Sequence, residues 1–326
     1  MSSSAQLLSA IPRSYTDTYE FMDRIRQGLP PAIICVACNG GVQGKESSDA
    51  LPESPDEIAD SVFGAYQAGA SVVHVHARKS SNVTEAATTA EEWWAVNSRI
   101  RERCPDIIIN NTTGGGLTST MQDRLSCLDA KPELASLNLT PDMSRFSLKE
   151  RKAPLSHPRG PVHFDECIPF TYKLVEDFAR AMQARGIKPE LETYHTGGAW
   201  VVRDLIEQKL LSEPYYIQTV MGYQTASFPT PENVIALLRE LPPGAIWLCS
   251  GIGPFQLPMT TLSLLMGGNV RVGLEDNLYY SRGRKFTSNA EPVKRAVRIA
   301  HELNREVATP AQARRMLGLS PDPTRY

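Results

Sequence analysis

The sequence predicts an α/β protein folded as a (β/α)8 TIM barrel, and three observations support this class. Eight short segments rich in β-branched residues alternate with helical segments from residue 32 onward. Most of these segments are continuously apolar, which indicates strands buried on both faces, as in a parallel sheet. No linker or shift in composition divides the chain, so one domain is expected. A doubly wound open sheet is the alternative, but it usually has fewer strands.

The predicted strands are bounded by Gly, Pro or Asn, as is usual where a strand meets a loop. They cover residues 32–38, 71–76, 106–112, 133–139, 190–195, 215–222, 245–251 and 270–275. Two stretches do not fit the alternation. We interpret residues 1–30 as an N-terminal arm on the barrel or on another subunit, which leaves 31–326 as the barrel domain. Residues 144–164 are expected to form a long loop after strand 4, at the active-site end.

Three helices have recognisable first turns. Ser54 precedes Pro55, and Glu57 completes a capping box with Ser54. Thr-Pro pairs at Thr230 and Thr309 begin two further helices in the same way. In the helix that begins at Pro55 the apolar residues recur at helical spacing, which predicts that one face packs on the sheet.

Composition excludes several classes of function. The chain has 326 residues, 41% of them hydrophobic, with a net charge of −2, and its scattered charges give no sign of a nucleic-acid or anionic-membrane surface. It contains no apolar run of about 18 residues, and its N-terminus lacks the features of a signal peptide. Cys35 and Cys38 form a C-x-x-C, but strand residues three apart face opposite sides, so buried packing is expected. We therefore expect a cytoplasmic protein.

Two histidines, His74 and His76, close the second predicted strand. Strand residues two apart point to the same side, so the imidazoles should lie side by side at the C-terminal end, where TIM barrels hold their active sites. Buried imidazoles need hydrogen-bond partners or a ligand, and one metal ion would satisfy both. The spacing alone leaves two separately satisfied core histidines as the alternative.

Polar residues also collect at the predicted ends of other strands. They are Thr112, Thr113 and Gly114 after strand 3, Asn138 and Thr140 at strand 4, Glu192 on strand 5, and Arg271, Glu275 and Asp276 at strand 8. Strands 2 and 8 both flank strand 1, so the Glu275 carboxylate can reach the histidine pair. Two imidazoles, one carboxylate and an open position are typical of catalytic zinc, although iron, cobalt and nickel also suit these ligands. Strand alternation would turn Glu275 to the barrel axis and leave Asp276 at the rim.

Arg271 allows two interpretations. It can clamp a substrate carboxylate with two parallel hydrogen bonds, or it can pair with an interior carboxylate such as Glu192. Gly251 and Gly253 follow strand 7, where Gly-rich loops of barrels often bind phosphate. They are therefore candidates for binding a phosphate-bearing cofactor.

Several segments together resemble the β-keto acid cleavage enzymes, a family whose namesake cleaves 3-keto-5-aminohexanoate. They are "SVVHVHAR", "DIIINNTTGG", "PELETYHTG", "SGIG", "RVGLEDNLYY" and the C-terminal "VATPAQARRMLGL". The resemblance implies a metal-dependent TIM barrel, usually a homotetramer, with zinc held by His74, His76 and Glu275. It also implies an acyltransferase that takes a β-keto acid and acetyl-CoA and releases acetoacetate and a new acyl-CoA.

The same resemblance implies roles around the metal. Asp276 would remove a proton from the carbon between the keto and carboxyl groups, and Arg271 would orient that base and the substrate. Thr112 would lie near the substrate carboxylate, and retro-Claisen cleavage would follow transfer of CoA. Thr113, Gly114, Asn138, Thr140 and Glu192 complete the expected substrate site. Val42 stands where the namesake has a glutamate that receives an ammonium group, so a neutral or apolar substrate tail is expected.

Two other functions compete with this interpretation. A zinc hydrolase of the amidohydrolase type also uses an H-x-H and a strand-8 acid. Its H-x-H lies on strand 1, however, and further histidines follow on strands 5 and 6, whereas only His195 is available here. A non-enzymatic scaffold stabilised by zinc would not need Asp276 beside the third ligand.

Overall fold

Parallel strands close into a barrel, as the sequence predicts. The computed structural model describes residues 18–116 and 119–326. The strands are β1 Ile34–Ala37, β2 Val72–Val75, β3 Ile108–Asn111, β4 Leu134–Asn138, β5 Asp142–Leu148, β6 Val162–Ile168, β7 Lys188–Thr193, β8 Tyr215–Met221, β9 Ala245–Gly251, β10 Asn269–Val272, β11 Tyr279–Ser281 and β12 Arg284–Lys285. The barrel has the spatial order β1-β10-β9-β8-β7-β4-β3-β2. Each predicted strand corresponds to one barrel strand, so the TIM-barrel prediction is confirmed.

Helices follow the barrel strands. They are α1 Thr18–Gln27, α2 Pro55–Gln67, α3 Ala90–Arg103, α4 Met121–Asp129, α5 Tyr172–Ala184, α6 Gly198–Glu207, α7 Pro231–Arg239, α8 Gln256–Leu265, α9 Ala290–Glu302 and α10 Pro310–Leu317. Ser54 and Glu57 form the predicted capping box of α2, and the hydroxyls of Thr230 and Thr309 cap α7 and α10. Among the described residues, no helix has both the length and the apolar character that a membrane crossing requires.

The predicted N-terminal arm lies partly outside the described residues, because residues 1–17 are not among them. Helix α1 precedes the barrel, and its side chains Tyr19, Met22 and Ile25 are 82%, 41% and 46% exposed. Packing of this arm on the barrel or on another subunit stays a prediction.

Apolar side chains seal the N-terminal end of the barrel. Inward-facing residues such as Cys35, Val72 and Ile108 pack with Met316 and Leu317 of α10 in one buried cluster. Since these groups fill the bottom of the barrel, only its C-terminal end can hold a polar site. Cys38 belongs to the separate cluster between strands and helices, so the two cysteines face opposite sides, as expected.

The segment after strand 4 differs from the expected loop. It forms an antiparallel hairpin, β5–β6, paired from Asp142 opposite Ile168 to Leu148 opposite Val162. Its residues alternate between cleft and solvent, so the strands carry a two-residue period that a search for continuously apolar strands overlooks. Arg151 links the hairpin to the loop after β1 through the buried carboxylates of Glu46 and Glu53.

Candidate active site

A cleft of about 1500 Å³ opens at the C-terminal end of the barrel. The loops after the barrel strands and the β5–β6 hairpin form its walls. Most of the sequence-predicted site residues line this one cleft: Val42, His74, His76, Thr112, Gly114, Asn138, Glu192, Gly253, Arg271, Glu275 and Asp276. Residues far apart in the chain therefore meet where the fold predicts chemistry.

Three of the predicted residues do not line the cleft. The Thr113 hydroxyl donates to the Ser136 carbonyl at 2.7 Å, which turns this side chain toward strand β4. Thr140 is buried and does not line the cleft. Gly251 packs under the following turn, where an added Cβ would lie 2.4 Å from the Phe255 carbonyl oxygen. Gly251 thus allows close backbone packing, while Gly253 faces the cleft.

His74, His76 and Glu275 form a compact group of potential metal ligands. The Nε2 atoms of His74 and His76 lie 3.7 and 3.4 Å from Oε1 of Glu275. Two ligands about 2.05 Å from a tetrahedral ion lie about 3.3 Å apart. Because the second carboxylate oxygen, Oε2, has no hydrogen-bond partner among the described residues, the donor set fits a divalent metal.

Backbone contacts fix the orientation of His76. Asn39 donates to the His76 carbonyl at 2.7 Å and accepts from the His76 N–H at 3.1 Å. Gly41 lies against the ring, since an added Cβ would come within 2.7 Å of Nδ1. The buried guanidinium of Arg78 holds the same loop by donating to the Gly40 and Gln43 carbonyls. The ring therefore sits in a slot that admits no larger residue at position 41.

The protonation states also suit metal ligation. Burial, helped by the nearby Arg271, holds the pKa of His74 well below its usual value, so its ring is neutral and able to coordinate. Burial opposes ionisation of Glu275, but Arg271 and the two histidines outweigh it and keep the pKa of Glu275 well below its usual range. The group therefore offers a neutral nitrogen from His74 and an anionic oxygen from Glu275, as zinc requires.

A second cluster shares one of these histidines. His74 also lies close to Glu190 and Glu192, with potential ligand atoms within 4.8 Å of one another. Burial, reinforced by Glu192, raises the pKa of Glu190 to about 8, and burial raises the pKa of Glu192 to about 7. Carboxyl groups with raised pKa values are ionised to a smaller extent near neutral pH than Glu275, so they are weaker ligands and the group of His74, His76 and Glu275 is favoured.

Arg271 joins three carboxylates at the centre of the cleft. Its Nε and Nη2 donate to the two Asp276 oxygens at 3.0 and 2.9 Å, which is the bidentate geometry of a strong pair. Nη2 also donates to Glu275 at 2.6 Å, and Nη1 donates to Glu192 at 3.3 Å. The structure thus contains the Glu192 pairing expected for an interior arginine, and it adds Asp276 as the main partner.

Strand alternation predicts Asp276 at the rim of the barrel, but the structure does not place it there. Strand β10 ends at Val272, and a turn follows in which the Asn277 N–H donates to the Gly273 carbonyl. Adjacent side chains in such a turn diverge by less than in a strand, so Glu275 and Asp276 both reach Arg271. Burial raises the pKa of Asp276, the neighbouring Glu275 adds to this, and Arg271 opposes both. A carboxylate with a raised pKa is a stronger base than one in water.

The loop after β3 forms another part of the wall. The Thr112 hydroxyl accepts the Gly114 N–H at 2.9 Å and lies 3.4 Å from the Ser136 hydroxyl. Thr112 also faces the cleft, so its hydroxyl can turn to a bound ligand at the expense of a weak contact to Ser136.

Aromatic residues of the cleft wall were not predicted. Phe146 and Phe164 stack across the β5–β6 hairpin with ring centroids 4.9 Å apart, and Tyr194 and Tyr223 lie 5.8 Å apart just after the neighbouring strands β7 and β8. All four line the cleft. The signal that could have identified the hairpin is the alternation in "DMSRFSL" and "VHFDECI" on either side of a Pro- and Gly-containing stretch.

Comparison with known proteins decides the family. A family profile described as beta-keto acid cleavage enzyme matches residues 31–319. The chain belongs to the β-keto acid cleavage enzyme family. The match spans every barrel strand, together with the hairpin and α10, so the assignment covers the whole described site.

Characterised members of this family are similar to the chain over nearly its full length. The 3-keto-5-aminohexanoate cleavage enzyme of Fusobacterium nucleatum subsp. nucleatum is 33% identical over 289 residues, covering 88% of this chain and 97% of that protein. The 3-oxoadipate:acetyl-CoA acetyltransferase of Cupriavidus necator is 32% identical over 294 residues, covering 89% and 95%. A solved structure of apo ObcA has a TM-score of 0.64 at 20% identity, covering 83% of this chain and 66% of that one, which supports the fold.

The hydrolase alternative is not favoured. His195, the additional histidine that it would need, lies outside the cleft, where its Nδ1 accepts the Gly197 N–H at 3.1 Å. The relatives are named as cleavage enzymes and acetyl-CoA transferases.

Proposed function

We propose that this protein condenses a β-keto acid with acetyl-CoA and cleaves the product to acetoacetate and a new acyl-CoA. The observation that carries the proposal is the convergence of His74, His76 and Glu275 beside the Arg271–Asp276 pair, in a chain of this family. The exchange is balanced, because the acyl group of the keto acid moves to CoA while the acetyl group replaces it on the two-carbon acid fragment.

The proposed metal site has a defined chemical task. A divalent metal held by His74, His76 and Glu275 would act as a Lewis acid toward the keto oxygen of the substrate. We infer zinc, because two nitrogens and one carboxylate leave an open position in its usual tetrahedral geometry. Metal analysis of the purified protein tests this directly, since His74→Ala should lower the bound metal whether or not activity is measured.

Asp276 is the proposed base. It faces the cleft beside the metal ligands, and the fork of Arg271 holds both of its oxygens. Removal of the substrate's α-proton leaves a carbanion that can attack the acetyl thioester, after which CoA transfer and retro-Claisen cleavage release the two products. Arg271 orients the base, and Thr112 and Asn138 offer polar groups to the substrate carboxylate.

The proposed substrate has an uncharged tail. Val42 lines the cleft, and an aliphatic side chain there provides no charge for an ammonium group. The stacked rings of Phe146 and Phe164 add apolar surface to the same cleft. These features support a β-keto acid with a neutral or apolar tail.

A substrate panel tests the proposal. The protein is incubated with acetyl-CoA and a series of β-keto acids that differ in tail charge and length, and acetoacetate and new CoA esters are measured by mass spectrometry. Asp276→Asn should lower turnover by about 10²–10⁴-fold, the usual contribution of a positioned base. The same substitution at the exposed Asp322 is the matched control. If no acid yields a new CoA ester, or Asp276→Asn turns over like the unmodified protein, the proposal is wrong.

We also infer a cytoplasmic homotetramer, following the resemblance to the family. The six cysteines, which are free in the structure, are consistent with a reducing compartment. Light scattering coupled to size-exclusion chromatography measures the mass of the assembly, and a monomer would contradict the inference.

A further inference from the structure

Positive charge is concentrated at one side of the cleft mouth. Residues 279–298 contain six basic side chains and one acidic one: Arg282, Arg284, Lys285, Lys294, Arg295 and Arg298, with Glu291. The whole chain carries a net charge of −2, so the basic character is local. This segment comprises the β11–β12 hairpin and most of α9, and it begins three residues after Asp276.

Arg295 is the buried member of this cluster. Its side chain is 9% exposed, and its guanidinium lies 3.5 Å from the centre of the Tyr280 ring while Nη2 donates to the Tyr280 carbonyl at 2.7 Å. Within residues 18–116 and 119–326, no carboxylate forms an ion pair with it. Because a buried cation without a counter-ion is costly, the side chain is suited to an anion that arrives from the cleft, which it lines.

Two exposed arginines extend the charge toward solvent. Arg282 lies at the turn of the β11–β12 hairpin and lines the cleft. Arg298 lies on α9, near the hydroxyl of Tyr280. Neither forms an ion pair with any residue that the structure describes, whereas Arg284 is neutralised by Glu291 at 2.8 Å. Arg282, Arg295 and Arg298 therefore keep uncompensated charge on one patch.

The patch is connected to the reaction centre by an apolar wall. The 3₁₀ turn Gly253–Phe255 contacts the turn after β10, where the Gly253 N–H donates to the Asp276 carbonyl at 2.7 Å. Ile252, Pro254 and Leu257 line the cleft beside this turn. A ligand with an anionic head and a long, weakly polar arm could thus place its head on the patch and its far end beside Asp276.

We propose that Arg282, Arg295 and Arg298 bind the phosphates of the nucleotide end of acetyl-CoA. Coenzyme A combines a 3′-phosphate and a diphosphate with an extended pantetheine arm, which matches the charge of the patch and the apolar wall. Tyr279, 48% exposed at the cleft, offers an aromatic face to the adenine. The inference rests on the proposed use of acetyl-CoA, and it names the residues that recognise this co-substrate.

Truncated thioesters separate the contribution of the phosphate-bearing nucleotide end of acetyl-CoA to binding from that of its pantetheine arm. KM is measured for acetyl-CoA, acetyl-dephospho-CoA and acetyl-pantetheine with Arg282→Gln, Arg298→Gln and the double variant. A lost charge-assisted hydrogen bond corresponds to about a tenfold loss of affinity, so each variant should raise the KM for acetyl-CoA about tenfold and the pair about 100-fold. The KM for acetyl-pantetheine and the kcat should not change, because that ligand lacks the phosphates. Arg239→Gln, at the exposed end of α7, is the control.

Binding without turnover keeps this inference distinct from the proposed function. Calorimetry with CoA alone should show the same loss of affinity in the variants. If CoA binds through these arginines but no β-keto acid is cleaved, the proposed function fails and the binding site stands. If the variants bind CoA like the unmodified protein, or acetyl-pantetheine suffers the same rise in KM, the inference is overturned. A change in oligomeric mass at unchanged KM would assign the patch to a subunit contact and overturn it as well.

Discussion

Arg151 anchors the β5–β6 hairpin to the barrel, and its replacement by methionine should destabilise the protein strongly. The guanidinium is almost fully buried and forms a bidentate pair with Glu53 at 2.7 and 2.9 Å. It also contacts Glu46 at 2.9 Å. Methionine conserves much of the volume but removes the charge, so the change tests the ion pairs rather than the packing.

The size of the destabilisation follows from the hydrogen-bond and ion-pair partners that each carboxylate keeps in Arg151→Met. Glu46 retains Arg159 at 3.0 Å, but the hydrogen-bond donors left to Glu53 within the described part of the chain are neutral, such as the Lys45 N–H. One buried carboxylate thus loses its counter-ion, which costs about 3–5 kcal/mol. For a chain of 326 residues the entropy of unfolding is about 0.7 kcal/mol/K, so the unfolding temperature should fall by about 4–7 °C.

Calorimetry of three variants provides the assay. Arg145→Met is the matched control on the same hairpin, because Arg145 pairs with Asp165 in solvent, with side chains 78% and 68% exposed. This substitution should lower the free energy of unfolding by less than about 1 kcal/mol. Glu53→Gln added to Arg151→Met removes the unpaired charge and should recover part of the loss. Equal shifts for Arg151→Met and Arg145→Met would refute the reasoning from burial.

Three other predictions concern the cleft, acid stability and a helix cap. Val42→Glu should improve kcat/KM for a β-keto acid with a cationic tail relative to a neutral one, and an unchanged ratio would show that Val42 does not meet the tail. Burial raises the pKa of Glu46, but backbone N–H groups and Arg151 outweigh it and lower the pKa below 4.5. The stability that ionised Glu46 contributes is thus present above pH 4.5 and lost as the pH falls further. Between pH 5 and pH 3 the unfolding temperature of Glu46→Gln should therefore fall less than that of the unmodified protein. Thr309→Ala removes the capping box of α10 and should cost about 1 kcal/mol in urea unfolding, and no loss would mean that solvent caps this helix equally well.

The barrel could be predicted from the sequence because its signals are local. Continuous apolar strands, capping residues such as Ser54 and Thr309, and regular alternation each depend on a few neighbouring residues. The histidine pair could be placed for the same reason, since residues two apart on a strand share a face. The β5–β6 hairpin was missed because one of its faces meets solvent and the other meets the cleft, so its apolar residues alternate with polar ones and form no continuous run.

The details of the site depend on contacts between distant residues. The turn after β10 lets the guanidinium of Arg271 form its bidentate pair with Asp276 rather than with a free ligand. Nothing in the local sequence determines that turn. Thr113 and Thr112 are adjacent and chemically alike, yet only the fold decides that Thr112 faces the cleft while Thr113 bonds to Ser136. Similarly, Arg295 is distinguished from its basic neighbours only by its burial against Tyr280.

The barrel and the β5–β6 hairpin contribute different kinds of residue to the cleft. The groups proposed to handle protons and charge are carried by barrel strands and the turn after β10, whereas Phe146 and Phe164 belong to an insertion held by Arg151. A lineage could therefore exchange the insertion, keep the ion pairs of Arg151 and Arg159 that hold it, and acquire a differently shaped acid without disturbing the residues beneath.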